Sequence, residues 1–417
     1  MTVTAAGPAA HDTAGRPAHR DPGVLRWLAA YTSSMLGDSV YYLALSWAAV
    51  RAGTPTQAGI VMSVSALPRA ALLLAGGVIA DRLGPRRVVI GSDAVRCAAA
   101  LAVAALLFLT GPGLWPLALL ALVFGAVDAV FLPAVGALPA RITAPDQLAR
   151  VQGLRGLAVR FASVAGAPLG GLGVALGGAA TAFALAGLLI AVSVPLLVSV
   201  RLRDLPADGT DAPRGTAWTD LKDGLRHIRR HRVLAPLMLT IALGDLGFAG
   251  PLNVGLTLLA DRRGWGAAGM GWVLAGFGAG AGAASLLLTV RGRVPRAGLV
   301  TGCACVTGSV AVGALAFVPA LAAAVGVAVL VGLLTGLSGA LCGALLQTQA
   351  DPAHLGRVAA VAGLVSLGLA PLSMPFAAAA IGVWGPGPVF AVSAAVCGLG
   401  GAVALVAPGL RRAELPG

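Results

Sequence analysis

Apolar runs of a membrane-crossing length, each ended by a short segment carrying Arg, Asp, Pro or Gly, recur along almost the whole chain. A helix needs about 20 apolar residues to cross the hydrocarbon core of a bilayer. The pattern predicts twelve such spans. The first six cover residues 25–50, 57–80, 88–110, 114–138, 153–177 and 180–200. The second six cover 233–259, 266–290, 297–318, 320–345, 358–381 and 386–408. The faintest division falls in the Gly- and Ala-rich stretch 165–190. A polar segment, 1–22, carries Pro8, Pro17 and Pro22 and reads as a disordered tail. It lacks the basic start and short apolar core of a cleaved signal.

The spans imply five regions: the 1–22 tail, a six-helix half at 23–200, a central loop at 201–232, a second half at 233–408, and a tail at 409–417. The later part of the loop puts Trp218, Leu221, Leu225 and Ile228 on one helical face, with Arg and His around the rest. Such a helix suits the membrane surface. The fold class expected is an all-α polytopic membrane protein with 12 transmembrane helices in two parallel, pseudo-symmetric halves.

Composition closes off the soluble classes. The 417 residues are 58% hydrophobic and 11% charged, with a mean hydropathy of +0.90, against about 25% charged in an ordinary soluble domain. The 59 glycines sit largely inside apolar runs, where small residues let helices approach closely. The net charge of +13 does not mark a nucleic-acid binder, because its residues are dispersed between spans. Basic residues favour the cytoplasmic loops. With the N-terminus inside, 23 of the 29 lie in cytoplasmic segments, 3 in outer loops and 3 within spans. Both termini are therefore expected in the cytoplasm. The near-exclusive use of Arg, with Lys222 the sole lysine, suggests a GC-rich bacterial genome and so the bacterial inner (cytoplasmic) membrane.

The chain also repeats itself at an offset of 207 residues. Leu36-Gly37-Asp38 matches Leu243-Gly244-Asp245. Pro145, Leu148, Arg150 and Val151 match Pro352, Leu355, Arg357 and Val358. Gly59, Arg86, Gly91 and Pro168 match Gly266, Arg293, Gly298 and Pro375. Six spans per half is an even number, so both halves enter the membrane in the same direction. Two-halved secondary transporters have this arrangement, with the substrate between the halves near the midplane.

Charges inside the spans are the candidates for chemistry, since an ion at mid-bilayer costs at least about 2.5 kcal/mol. Asp38 lies mid-way along span one, Asp128 along span four and Asp245 along span seven. Arg69 lies mid-way along span two and Arg160 about two turns into span five. A carboxylate that gains and loses an arginine partner as helices rock can load and release a proton. Asp38, Asp128 or Asp245 is a candidate for that proton, with Arg69 or Arg160 as counter-charge. Permanent ion pairs that lock helices together are the alternative.

Gly77-Val-Ile-Ala-Asp81-Arg82-Leu-Gly84-Pro85-Arg86-Arg87, between spans two and three, resembles the signature loop of the major facilitator superfamily. Within it the chain is most similar to drug and siderophore exporters of the macrolide-efflux and enterobactin-export types. The Gly-Asp of span one, Asp220-Leu-Lys-Asp-Gly-Leu-Arg before span seven, and Pro139 to Arg150 after span four carry that likeness. Two departures stand out: Pro85 replaces a basic residue, and the second copy has Leu288 and Thr289 where Asp81 and Arg82 would recur.

The resemblance implies a secondary transporter working by alternating access, in which Asp81 and nearby arginines latch the halves together. Asp93 and Arg96, three apart, are placed to join that latch. It also implies spans one, four, seven and ten around a central cavity, three of them bearing a carboxylate. Gly166-Ala-Pro168-Leu-Gly170-Gly171 resembles the G-P-x-x-G-G packing element of antiporters, with Ala167 in place of a glycine.

Enzyme and pump chemistries find no support. Lys222 has no Walker glycines around it, and Glu414 is the single glutamate. Cys97, Cys303, Cys305, Cys342 and Cys397 have no metal-binding spacing. His227 and His231 sit among arginines that would repel a metal ion. No metal or cofactor is expected. The expected partners are a small amphipathic substrate, a proton and the bilayer, with the chain a monomer. An uptake or lysolipid carrier, and a non-transporting scaffold or sensor, are the rival readings.

Overall fold

The computed structural model describes residues 20–111, 113–143, 147–200, 217–291, 294–351 and 355–414. Most of the expected first tail, the earlier part of the central loop and residues 415–417 lie outside them.

The first half contains α1 (Pro22–Ala52), α2 (Pro55–Leu83), α3 (Pro85–Thr110), α4 (Leu114–Ile142) and α5 (Leu148–Val198). Then come α6 (Ala217–Arg230) and α7 (Leu234–Gly250). A π-turn (Pro251–Gly255) joins α7 to α8 (Leu256–Arg262). The rest are α9 (Gly266–Arg291), α10 (Ala297–Leu315), α11 (Leu321–Gln349), α12 (Leu355–Trp384), α13 (Pro386–Val406) and α14 (Pro408–Arg411).

Local chemistry sets the ends. Asp21 accepts a bond from the Gly23 N–H (2.7 Å) and Pro22 occupies the first turn of α1, the favoured cap and N1 residues. Gly84 turns the chain from α2 into α3 at φ +84°, a conformation that only glycine adopts readily.

Eight of the described helices are long and apolar enough to cross a membrane. One of them, α5, is long enough to cross twice. As a straight rod its 51 residues would run about 77 Å. Instead the helix breaks at Gly177 and Gly178, the latter at φ +74°. A Cβ on Gly173 would lie 3.2 Å from Cα of Ala182, so the chain doubles back into an antiparallel pair. With α1, α2 and α12, and with α7 and α8 taken as one span, the described helices supply twelve crossing lengths.

The 207-residue repeat is visible as paired contacts. On α2, Gly59 lies against Met374, Pro375 and Ala378 of α12. Adding the offset exchanges this for a contact between the start of α9 and the Pro168–Gly171 stretch of α5. There Gly171 meets Ala267 and Ala268, and Gly271 meets Ala167 and Pro168. Ser46 Oγ donates to the carbonyl of Asn253 (2.8 Å), its own repeat mate, so the pseudo-twofold axis passes close to this pair.

Buried side chains fall into three groups. One large core runs across both halves, from Val40, Tyr41, Leu43 and Phe124 to Leu256, Leu259, Ala378 and Phe390. The other two cores belong to one half each. Trp27, Phe131 and Leu138 form part of the first, and Leu234, Leu345 and Leu410 part of the second. The halves are therefore joined at the end bearing the C-termini of α1 and α12. At the opposite end each packs on its own core. Leu410 is fully buried and Gly298 N–H bonds the carbonyl of Ala413 (3.2 Å), which docks the start of the second tail onto α10.

Candidate functional site

Arg96 is the centre of the first half's polar interior. It is fully buried. Its Nη1 donates to both carboxylate oxygens of Asp38 (3.0 and 2.8 Å) and to Oδ1 of Asp128 (3.3 Å). Its Nη2 donates to Asp93 and to Ser34 Oγ (3.1 Å). The guanidinium also lies over the Phe131 ring, 4.0 Å from its centroid, a further favourable contact for a cation.

The surrounding hydroxyls complete the network. Ser34 and Ser193 both donate to Asp93, and Tyr42 donates to Asp128 Oδ2 (3.2 Å). Arg69 stands 3.9 Å from the same oxygen. Four helices and the second arm of α5 thus converge on three carboxylates and two guanidiniums. If all were ionised, the cluster would carry one negative charge in excess. Its exposed side chains are those of Arg69, Asp38 and Asp128, at 26%, 16% and 10%, whereas Asp93 and Arg96 are sealed.

Two sequence expectations change here. Arg96, rather than Arg69 or Arg160, is the counter-charge of Asp38; Arg69 serves Asp128. Asp93 and Arg96, expected beside the loop latch, lie in this buried cluster, on the side of α3 that faces α1 and α4. Helix depth alone did not reveal this, because on the expected spans Arg69 lies nearer the level of Asp38. Arg96 is eight residues into the expected third span, about 12 Å, and its long side chain reaches the level of Asp38.

The repeat explains why the second half looks different. Asp245 is the mate of Asp38, but Cys303 stands at the mate position of Arg96 and Thr335 at that of Asp128. No arginine cluster can form. Asp245 instead lines a cavity of about 750 Å³, with Phe248, Phe277, Cys305, Gln347 and Ser366 among its walls. Arg160 reaches this cavity from α5. Neither Asp245 nor Arg160 forms an ion pair among the described residues. A mostly apolar cavity with a few polar groups suits a small organic ligand.

Of the signature loop, Arg86 binds within its own half. Arg86 donates to the carbonyls of Leu197 (3.3 Å) and Val198 at the end of α5, where helix carbonyls lack internal partners. Arg82 and Arg87 are exposed. The side chains at Gly77 and Asp81 lie outside the described set. On α5, Gly166 faces Ser39 and Gly170 faces Val40, both on α1, whereas Gly171 faces α9. The small residues of this stretch thus bring three helices together.

The family model described as Major Facilitator Superfamily matches residues 27–371. The multidrug efflux pump Tap of Mycolicibacterium fortuitum is 29% identical over 95% of this chain and 98% of its own length. The enterobactin exporter EntS of Shigella boydii is 27% identical over 69% of this chain and 67% of its own. Among solved structures, a POT family transporter in complex with 5-aminolevulinic acid superposes with a TM-score of 0.71 at 13% identity, covering 96% of this chain and 98% of its own. A D-xylose–proton symporter gives 0.68 at 13% identity, over 94% and 98%. At such identities these structures speak for the fold.

Proposed function

This chain belongs to the Major Facilitator Superfamily and is a transporter rather than an enzyme, and from that premise we propose that it exports small amphipathic compounds in exchange for protons, by alternating access. The membrane is the bacterial cytoplasmic membrane, and both termini face the cytoplasm.

The observation that carries the reading is the imbalance of the buried cluster. Three carboxylates share two guanidiniums. Leaving one buried charge without compensation costs several kcal/mol, and a single proton restores the balance. Asp38 is the best placed carrier. It is partly exposed and sits on α1, the helix that also meets the second half through Ser46 and Arg51. When the halves rock, α1 moves against α3 and α4, the grip of Arg96 on Asp38 changes, and the proton is taken or given up.

Asp245 and Arg160 then serve the substrate. They present one negative and one positive group in an otherwise apolar cavity, which suits an amphipath. The open end of the molecule is the end richest in arginine, so this conformation faces the cytoplasm, as an exporter awaiting cargo does. Both similar curated proteins are named as exporters, which supports the direction.

The test compares cells with and without the protein for accumulation of a panel of fluorescent amphipathic compounds. Lower accumulation that is abolished by a proton uncoupler is expected. Higher accumulation of a compound would mean uptake, and equal accumulation of every compound would count against transport of this class.

A further inference from the structure

Away from the transport pathway, α6 and the start of α12 line a second, open-sided cavity, of about 320 Å³. It is lined by Asp223, Arg226, His227, Arg230 and His231, and by Arg357 of α12. The two helices meet closely. A Cβ on Gly224 would lie 3.0 Å from the Arg357 carbonyl, and Ile228 is buried beside Leu234 and Val358. The cavity is therefore built into the packing of α6 on the second half.

Its lining carries three guanidiniums and a single carboxylate, with the Asp351 carboxylate acting on His231 from outside the lining. His231 Nδ1 accepts the backbone N–H groups of Val233 (3.3 Å) and Leu234 (3.2 Å). That occupies its lone pair and leaves the other ring nitrogen as a donor. Partial burial, with the neighbouring His227, holds this imidazole below its usual pKa. A metal ion would thus meet fixed positive charge and a histidine lone pair already engaged.

An oxyanion meets several N–H donors in fork geometry, the arrangement that suits phosphate. The setting favours the same ligand. The apolar span begins at Leu234, just past the cavity, and Leu225, beside Arg226, is 48% exposed. Basic pockets at the cytoplasmic ends of spans are where lipid phosphates bind.

We propose that this cavity is a phosphate-binding site, filled by the headgroup of an anionic lipid or by a soluble phosphate, which fastens the central loop helix to the second half. It does not depend on the direction or cargo of transport.

The experiment uses the full-length protein. One arm measures retention of phosphatidylglycerol against phosphatidylcholine by native mass spectrometry. The other measures the thermal unfolding midpoint with inorganic phosphate in neutral-lipid nanodiscs. The variant is Arg226→Gln with Arg230→Gln, both exposed in the parent, and the control is Arg20→Gln with Arg26→Gln, exposed residues at the start of α1 in the first half. Retention of phosphatidylglycerol about tenfold weaker in the first variant alone is expected. A phosphate-induced rise in midpoint that this variant alone loses, without lipid selectivity, would support the site with a soluble occupant. Equal behaviour of wild type and variant in both arms, or equal losses in the control, would overturn it.

Discussion

Arg96 is held by three carboxylates at once, and that makes it the least replaceable side chain in the first half. Taking away one partner of a buried ionic network leaves charge stranded, typically at a cost of about 3–5 kcal/mol. Arg96→Gln should therefore lower the unfolding midpoint of the purified protein clearly, and an unchanged midpoint would show that the carboxylates do not depend on it. The individual charges were legible in the sequence, because Asp38, Asp128, Asp245, Arg69 and Arg160 interrupt apolar spans. Their pairing was not. A span that is apolar on nearly all sides carries little information about which face points inward, so the partner of Asp38 could not be chosen from spacing. Depth did not settle it, since on the expected spans Arg69 lies nearer the level of Asp38 than Arg96 does.

Among the elements, the helices and their breaks follow the hydrophobic pattern closely, down to the turn at Gly177–Gly178 that divides spans five and six. The π-turn at Pro251–Gly255 was not foreseen, since an apolar run reads the same through it. The loop helix was foreseen in part. Ile228 is buried, but Leu225 is half exposed, and the side chains of Trp218 and Leu221 lie outside the described set. Helix packing offers a direct test. A Cβ on Gly171 would lie 2.6 Å from the Ala267 carbonyl, a backbone atom that cannot swing aside. Overpacking of this kind costs about 1–3 kcal/mol, so Gly171→Leu should hold α5 off α9 and slow transport about tenfold or more. On α9, Gly282 has open space where its Cβ would stand, and Gly282→Leu should leave transport intact. Equal rates in both variants would contradict a role for this contact.

At the scale of the whole molecule, the proposed alternating access reads the single shared core at one end and the two separate cores at the other as one state of a rocking pair. Ser46 and Thr257 hold the joined end, with their hydroxyls 2.6 Å apart. Replacing both by cysteine should allow an oxidative cross-link that stops transport and is reversed by reductant. Undiminished transport by the fully cross-linked protein would mean that the halves do not separate there. The two-halved design itself could be read from the 207-residue offset, whereas the state of the molecule could not, because identical helices form every state of the cycle. The central claim is that the cluster around Arg96 carries the coupling proton, and proteoliposomes test it most directly. For Asp38→Asn the account predicts loss of substrate movement driven by a pH gradient, with substrate exchange in the absence of a gradient retained. Full gradient-driven transport by Asp38→Asn, and by Asp128→Asn alongside it, would contradict that claim.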